Sequence, residues 1–308
     1  PKGLYSYLYQ KLSLIQSLSS LDVQSFIRQH EFDDVSQLIL GFASFANVPM
    51  PLIVEQIIGR KKAKEKLPTY FQTNSILYPP GVNLEQCSSE QTARFKSKVA
   101  MISVENREKC LDLTGGFGVD SYFFSSVFRE VYYVEPNKSL LEIACHNHQV
   151  LQAKGILHLN TTADDFLTST DKFFDLIYID PSRRTSGNKR VFSFDDCEPD
   201  VTKLLPLIFL KTNLLLIKAS PLLDIQQGLK SLTFVKQIFV ISVENECKEL
   251  LFYCEKNFAG EPTIEALNLS NGKPTENFHF KVSEERLISP IYSPPLSYLY
   301  EPNASILK

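Results

Sequence analysis

Apolar positions along this chain follow two different rhythms. Over residues 1–75 they recur three and four apart, as at Ile53, Ile57 and Ile58, which predicts helices. Ser20 stands where a cap would open a helix over Leu21–Gln29, Asp33-Asp34 opens another through Leu40, and Pro51 suits the first turn of a third. That third helix ends in Arg60-Lys61-Lys62-Ala63-Lys64-Glu65-Lys66. Cations there either complement the negative end of the helix in water or reach phosphates. Asn74–Gln86, with Pro79-Pro80-Gly81, reads as a loop. Ser88-Ser89-Glu90-Gln91 reads as a capping box with Ser88 as cap and Gln91 as its partner, opening a helix to about Ile102.

From Lys109 the rhythm changes to short apolar runs alternating with amphipathic stretches. Strands are predicted at Cys110–Leu113, Glu130–Val134, Leu157–Asn160, Phe174–Asp180, Asn213–Lys218, Gln237–Val243 and Glu249–Glu255. Helices fall between them at Val119–Val127, Ser139–Ala153, Asp200–Lys211 and Leu223–Leu232. The continuous runs at 175–179 and 214–217 suit central strands buried on both faces. Such alternation means βαβ units and a parallel sheet. Only Glu244–Lys248 separates the last two strands, too short for a crossover, so the last runs antiparallel. The expected fold is α/β: a seven-stranded, mostly parallel, Rossmann-like sheet with an antiparallel last strand. A helical domain at 1–75 precedes it, the α/β domain covers 76–258, and a small β-containing appendage covers 259–308, where Ile264–Asn268 and Phe278–Val282 flank the hairpin signal Asn271-Gly272.

Composition narrows the class without naming an activity. The 308 residues are 44 % hydrophobic and 22 % charged, with a formal net charge of −3, so overall charge does not announce a basic nucleic-acid binder. The six cysteines lack C-x-x-C spacing, and reduced thiols in a cytoplasmic protein are the expectation. No apolar run approaches the roughly 18 residues a membrane-spanning helix needs. The chain opens without Met and stops within a patterned segment, the expectation being a chain trimmed at one or both ends. Cys145-His146-Asn147-His148 is not expected to bind a metal, because positions two apart do not share a helix face.

Candidate chemistry lies at the carboxyl ends of four successive strands, where open α/β sheets bind ligands. Asp112 and Thr114-Gly115-Gly116-Phe117-Gly118 follow the first strand, and Glu135-Pro136-Asn137 the second. Ala163-Asp164-Asp165-Phe166 follows the third, and Asp180-Pro181-Ser182-Arg183-Arg184 the fourth. A glycine turn entering a helix lets a ligand approach the backbone closely. A carboxylate such as Glu135 can accept from two vicinal hydroxyls. Asp164 or Asp165 is also placed to cap a helix beginning at Phe166. A G-x-G-x-x-G fingerprint built on Gly116 and Gly118 fails at Ser121, which argues against a dehydrogenase.

This order of strand-end pieces, over about residues 88–257, resembles the class I Rossmann-like methyltransferases that use S-adenosylmethionine (SAM). The resemblance implies that the turn at Asp112–Gly118 lies along the methionine part of SAM, that Glu135 with Pro136 holds the ribose, and that Asp164 contacts the adenine amine, with Asp165 beside it in the cofactor site. It implies a catalytic turn at Asp180, Pro181, Ser182 and Arg183, with Asp180 bordering the cofactor as well. More narrowly, the motif at 112–121, the stretch Glu85–Ala93, Asp-Pro-Ser-Arg-Arg and the ending at 298–305 resemble a bacterial group classed as methyltransferases that carry a C-terminal THUMP-like RNA-binding module.

Two departures bear on chemistry. The commonest glycine motif has Gly where Thr114 stands. Amine-directed members of the family carry proline and an aromatic where this chain has Ser182 and Arg183. Cys197 is the one cysteine near the fourth strand, and its expected role is structural, which argues against a cysteine-dependent attack on a pyrimidine carbon. The favoured acceptor is a nitrogen of an RNA base. Arg183, Arg184, Lys189 and Arg190 suit a phosphate backbone, and Phe192 or Phe194 could supply the missing ring, although core packing is the stronger expectation for both. The alternatives are a small-molecule or protein methyltransferase, and a non-catalytic RNA-binding protein that kept the fold.

Overall fold

The computed structural model describes residues 14–183, 193–270, 272, 275–287, 293–294, 297–298 and 301–308. Its elements in chain order are α1 (Leu21–Gln29), α2 (Val35–Gly41), β1 (Ser44–Phe45), β2 (Val48–Pro49), α3 (Met50–Lys66), α4 (Pro68–Gln72), α5 (Gly81–Gln86), α6 (Glu90–Ser103), β3 (Lys109–Asp112), α7 (Val119–Phe124), β4 (Glu130–Val134), α8 (Lys138–Val150) and β5 (Ile156–Leu159). There follow α9 (Ala163–Ser169), β6 (Leu176–Ile179), β7 (Ser182–Arg183), β8 (Cys197–Glu198), α10 (Val201–Lys211), β9 (Leu214–Ala219), α11 (Ile225–Ser231), β10 (Val235–Val243), β11 (Glu246–Glu255), β12 (Thr263–Leu269), β13 (Glu276–Lys281) and α12 (Val282–Leu287). Two compact units result: residues 1–97 with 115–160, and residues 98–114 with 161–308.

In the first unit, helices α1–α5 bury one apolar face each. Val23, Phe26, Met50, Ile53 and Ile57 form one cluster. Leu67, Tyr70, Tyr78, Phe117 and Phe123 form a second. The cations at the end of α3 are tied to protein groups. Arg60 donates to Glu31 and to the Phe71 carbonyl, Lys62 pairs with Glu85, and Lys66 donates to the carbonyls of Leu84 and Glu85.

Local predictions fail where turn chemistry is subtle. A β-turn-β piece, β1–β2, interrupts the helical stretch because Ala46 and Asn47 both take positive φ. The expected loop at 74–86 contains α5, which starts directly after Pro80. The cap of α6 is Ser89, whose Oγ accepts from the Thr92 amide at 3.2 Å. Ser88 instead donates to Asp120 at 2.7 Å and accepts from the fully buried Lys96 at 2.6 Å. Strands β4 and β5 pair in parallel in this unit, with Val134 opposite Leu159.

The main sheet of the second unit runs in the order β13-β12-β10-β11-β9-β6-β3, with β7 and β8 paired apart from it. β3, β6 and β9 are mutually parallel, and the β6 run Leu176–Ile179 is buried throughout, as its unbroken apolar sequence predicts. β11 is antiparallel to both β9 and β10. Its connection to β10 is shorter than expected: Glu244 and Asn245 at φ 48° and 62° make a two-residue turn, and Cys247 pairs within the ladder. Two strands beyond those expected also join this sheet. β12 pairs in parallel with β10, and β13 pairs with β12, so the presumed appendage extends the main sheet. Its turn residue Asn271 lies outside the described residues. All six cysteines carry free thiols. Among the described residues no helix is long and apolar enough to cross a membrane.

Candidate active site

In the first unit the glycine turn is held at every step. The Gly115 amide donates to the Val134 carbonyl at 2.8 Å, and Gly118 at φ +84° starts α7. A Cβ on Gly115 would lie 2.2 Å from the Tyr133 ring, so the close approach itself demands glycine. Below the turn, Tyr133 donates its hydroxyl to the Gly116 carbonyl at 2.6 Å. His148 Nε2 lies 2.9 Å from the Gly118 carbonyl, and its Nδ1 lies 2.8 Å from Nε2 of His158. A carbonyl only accepts, so His148 carries its proton on Nε2 and His158 donates to His148 Nδ1. The Phe117 side chain points into the core, with its ring 5.4 Å from that of Tyr70. Phe117 therefore serves the turn through its backbone.

Glu135 is almost fully buried. Its Oε2 accepts from the Gly116 amide at 2.9 Å and its Oε1 from the Asn137 amide at 2.7 Å. Burial raises its pKa, and the two backbone amides oppose that rise. Asn160 donates to the carbonyls of both Glu135 and Pro136 at 2.9 Å, which fixes the acid-bearing turn after β4. Cys145-His146-Asn147-His148 serves packing: Asn147 bridges the backbone of Leu77, and His146 bonds the Ser75 carbonyl.

In the second unit the ends of β3, β6 and β9 lie side by side. Asp112 Oδ1 accepts from the Thr114 amide at 3.1 Å. Thr114 Oγ1 accepts from the Asp180 amide at 2.6 Å. The departure from glycine at 114 thus has a structural use: a hydroxyl ties the residue after β3 to the turn after β6. Thr114→Val is expected to leave the Asp180 amide without its partner and to cost about 1–2 kcal/mol, with Thr114→Ser close to the original. Urea unfolding midpoints check this, and equal midpoints for the valine and serine variants would remove the tie.

Asp180 Oδ2 accepts from Lys218 Nζ at 2.5 Å. The strand register, with Ile179 opposite Ile217, sets these two residues next to one another. Lys218 is the partner of Asp180 that sequence reasoning passed over. The available signal was a cation inside an apolar strand, one residue before its end. Ser182 and Arg183 pair with Glu198 and Cys197 as β7–β8. The Ser182 hydroxyl is directed at the Glu198 carbonyl, 3.3 Å away. Phe194 is core, packed against Phe252. Arg184, Lys189, Arg190 and Phe192 lie outside the described residues, as does the Arg183 side chain.

The acid following β5 is also corrected in detail. The helix begins at Ala163, three residues earlier than predicted, and Thr162 caps it by accepting from the Asp165 amide at 3.1 Å. The Asp165 carboxylate in turn accepts from the Thr162 hydroxyl at 2.8 Å. Asp164 has no part in the cap, and its side chain is exposed.

Parallel strands joined through helices, with a glycine turn after the first of them and carboxylates after the next, define a Rossmann-like α/β protein. No family model matches the chain. A Porphyromonas gingivalis W83 protein of known crystal structure, classed as a methyltransferase, is 30 % identical, with a TM-score of 0.79 over 93 % of this chain and 71 % of its own. The chain belongs to that family, the class I methyltransferases, which use SAM as methyl donor. An uncharacterized RNA methyltransferase of Mycoplasma mobile is 26 % identical over 129 residues, 42 % of this chain; the match spans only 35 % of that protein's length.

Proposed function

We propose that this chain transfers a methyl group from SAM to a nitrogen of an RNA base. The observation that carries the cofactor half is the Glu135 carboxylate. Each of its oxygens already holds one backbone N–H, and each keeps acceptor capacity for one of two vicinal hydroxyls. Pro136 borders that ribose position. The amides of Gly115–Gly118, with Asp112 and Thr114, take the methionine part, and Asp164 rather than Asp165 takes the adenine amine. SAM supplies an activated methyl group, so the chain's own work is binding, orientation and handling of one proton.

Calorimetry with SAM or S-adenosylhomocysteine tests the reading, and absence of binding would end it. Glu135→Ala is expected to weaken binding about tenfold, the worth of roughly 1.4 kcal/mol, and unchanged affinity would take Glu135 out of the site. Affinity should also fall on acidification, beginning at a higher pH than for an ordinary carboxylate, because burial favours the neutral form of Glu135.

The RNA half rests on Arg183, Arg184, Lys189 and Arg190, four cations within eight residues of sequence, and on the name of the Mycoplasma relative. Exchanging Arg183 and Arg184 for alanine should weaken RNA binding and flatten its salt dependence. No change in either would favour the small-molecule reading. We also propose that a THUMP-like module is the partner domain through which related chains engage RNA.

A further inference from the structure

The geometry points to Lys218 and Asp180 as a proton-taking pair, built for a methyl acceptor that becomes an anion: the lactam N–H of a guanine- or uracil-type base. This rests on the reading of the chain as a base-directed methyltransferase and narrows its substrate. The two groups sit at the ends of adjacent parallel strands, 2.5 Å apart. Their side chains are 26 % and 13 % exposed for Asp180 and Lys218. Among the described residues Asp180 Oδ1 accepts no hydrogen bond. The backbone of Asp180 is fixed by Thr114 at 2.6 Å. The turn thus offers an acceptor oxygen beside an ammonium group.

Charge decides which acceptor such a pair serves. An exocyclic amine becomes cationic as it attacks a methyl group, and a carboxylate standing alone suits it. Here an ammonium group beside the carboxylate cancels that advantage. A lactam does the reverse, because its N–H must leave and negative charge spreads onto the neighbouring carbonyl oxygen. Asp180 Oδ1 facing the N–H and Lys218 facing the carbonyl meet both needs, placing a cation where charge develops. A sugar hydroxyl offers a single oxygen to the two groups and is far less acidic.

The step balances. The N–H proton passes to Asp180 Oδ1, and the nitrogen electron pair forms the N–CH3 bond. The S–CH3 bond breaks with its pair returning to sulfur, so the sulfonium becomes a neutral thioether. Asp180 then releases the proton to water.

The test uses the 308-residue chain, methyl-labelled SAM, and RNA, protein and metabolite fractions, followed by identification of the labelled atom. Label on guanine N1 or uracil N3 is expected. Label on an exocyclic amine, a protein amine or a ribose oxygen would overturn the assignment. Label confined to a non-RNA fraction would fail the RNA reading alone, since the acceptor atom found there, lactam-type or amine, still decides the pair. Lys218→Met should lower kcat on the order of 100-fold, the scale for loss of one donor to developing charge, with S-adenosylhomocysteine affinity unchanged within about twofold. Lys218→Arg, which keeps a cation, should recover part of kcat. An undiminished kcat in Lys218→Met would overturn the role of the lysine.

Discussion

Gly115→Ala is expected to weaken cofactor binding by up to about 100-fold and to destabilise the fold. The added Cβ would meet three atoms of the Tyr133 ring at 2.2–2.5 Å, distances at which something must move. Tyr133 cannot swing away. It is fully buried, its hydroxyl holds the Gly116 carbonyl, and its ring packs against those of His148 and His158 at 5.9 and 5.3 Å. Retreat of the turn is the other relief, and it would break the Gly115 amide bond to Val134 and draw Gly116 from Glu135. Overpacking of this kind costs about 1–3 kcal/mol, and at about 1.4 kcal/mol per tenfold a turn displaced by that strain binds on the order of 100-fold more weakly. Calorimetry with S-adenosylhomocysteine, alongside urea unfolding, gives both numbers. Binding within threefold of the original chain, with an unchanged midpoint, would show that the turn tolerates the shift and would remove the steric argument for glycine.

The sequence showed the strand-end acids and the glycine turn because they rest on period and position, which survive folding. Glu130–Val134 is a strand with the predicted limits, and the acid after it lies where the β4 end leaves it. What stayed hidden depends on pairings between distant segments. Thr114 reads as an oddity in a glycine motif until Asp180, 66 residues later in the chain, donates to it. Lys218 reads as the polar end of an apolar strand until the β6–β9 register sets it beside Asp180. The capping errors have a shared origin: Ser88-Ser89 and Thr162-Ala163-Asp164-Asp165 each offer several side chains able to cap, and tertiary contacts choose among them. Ser88 is taken by Lys96 and Asp120, which leaves the cap to Ser89. The extra strands β12 and β13 were visible as strands. Their attachment to β10 was not, because parallel pairing leaves no short-range turn signal.

His148 predicts a second large effect, loss of stability in acid. Burial lowers its pKa from 6.5 to about 4, and the nearby His158 adds to the lowering while the bond to the Gly118 carbonyl opposes it. A base whose folded pKa is depressed takes up a proton more readily when unfolded. Its contribution is therefore complete above pH 6.5 and is lost as pH falls from 6.5 towards 4. At about 1.36 kcal/mol per pKa unit, the full loss is about 3 kcal/mol, a large part of a domain's net stability. His158, whose pKa is also lowered by burial, adds in the same direction. The structural cause is specific. Neutral His148 donates to Gly118 and accepts from His158, and a second proton on Nδ1 would set two donors against one another until His158 changes tautomer. Unfolding free energies measured across pH 7 to 4 should show this fall, and His148→Gln, which keeps a donor near Gly118 without a titrating ring, should remove most of it. A pH dependence as steep in His148→Gln as in the original chain would assign the acid sensitivity elsewhere.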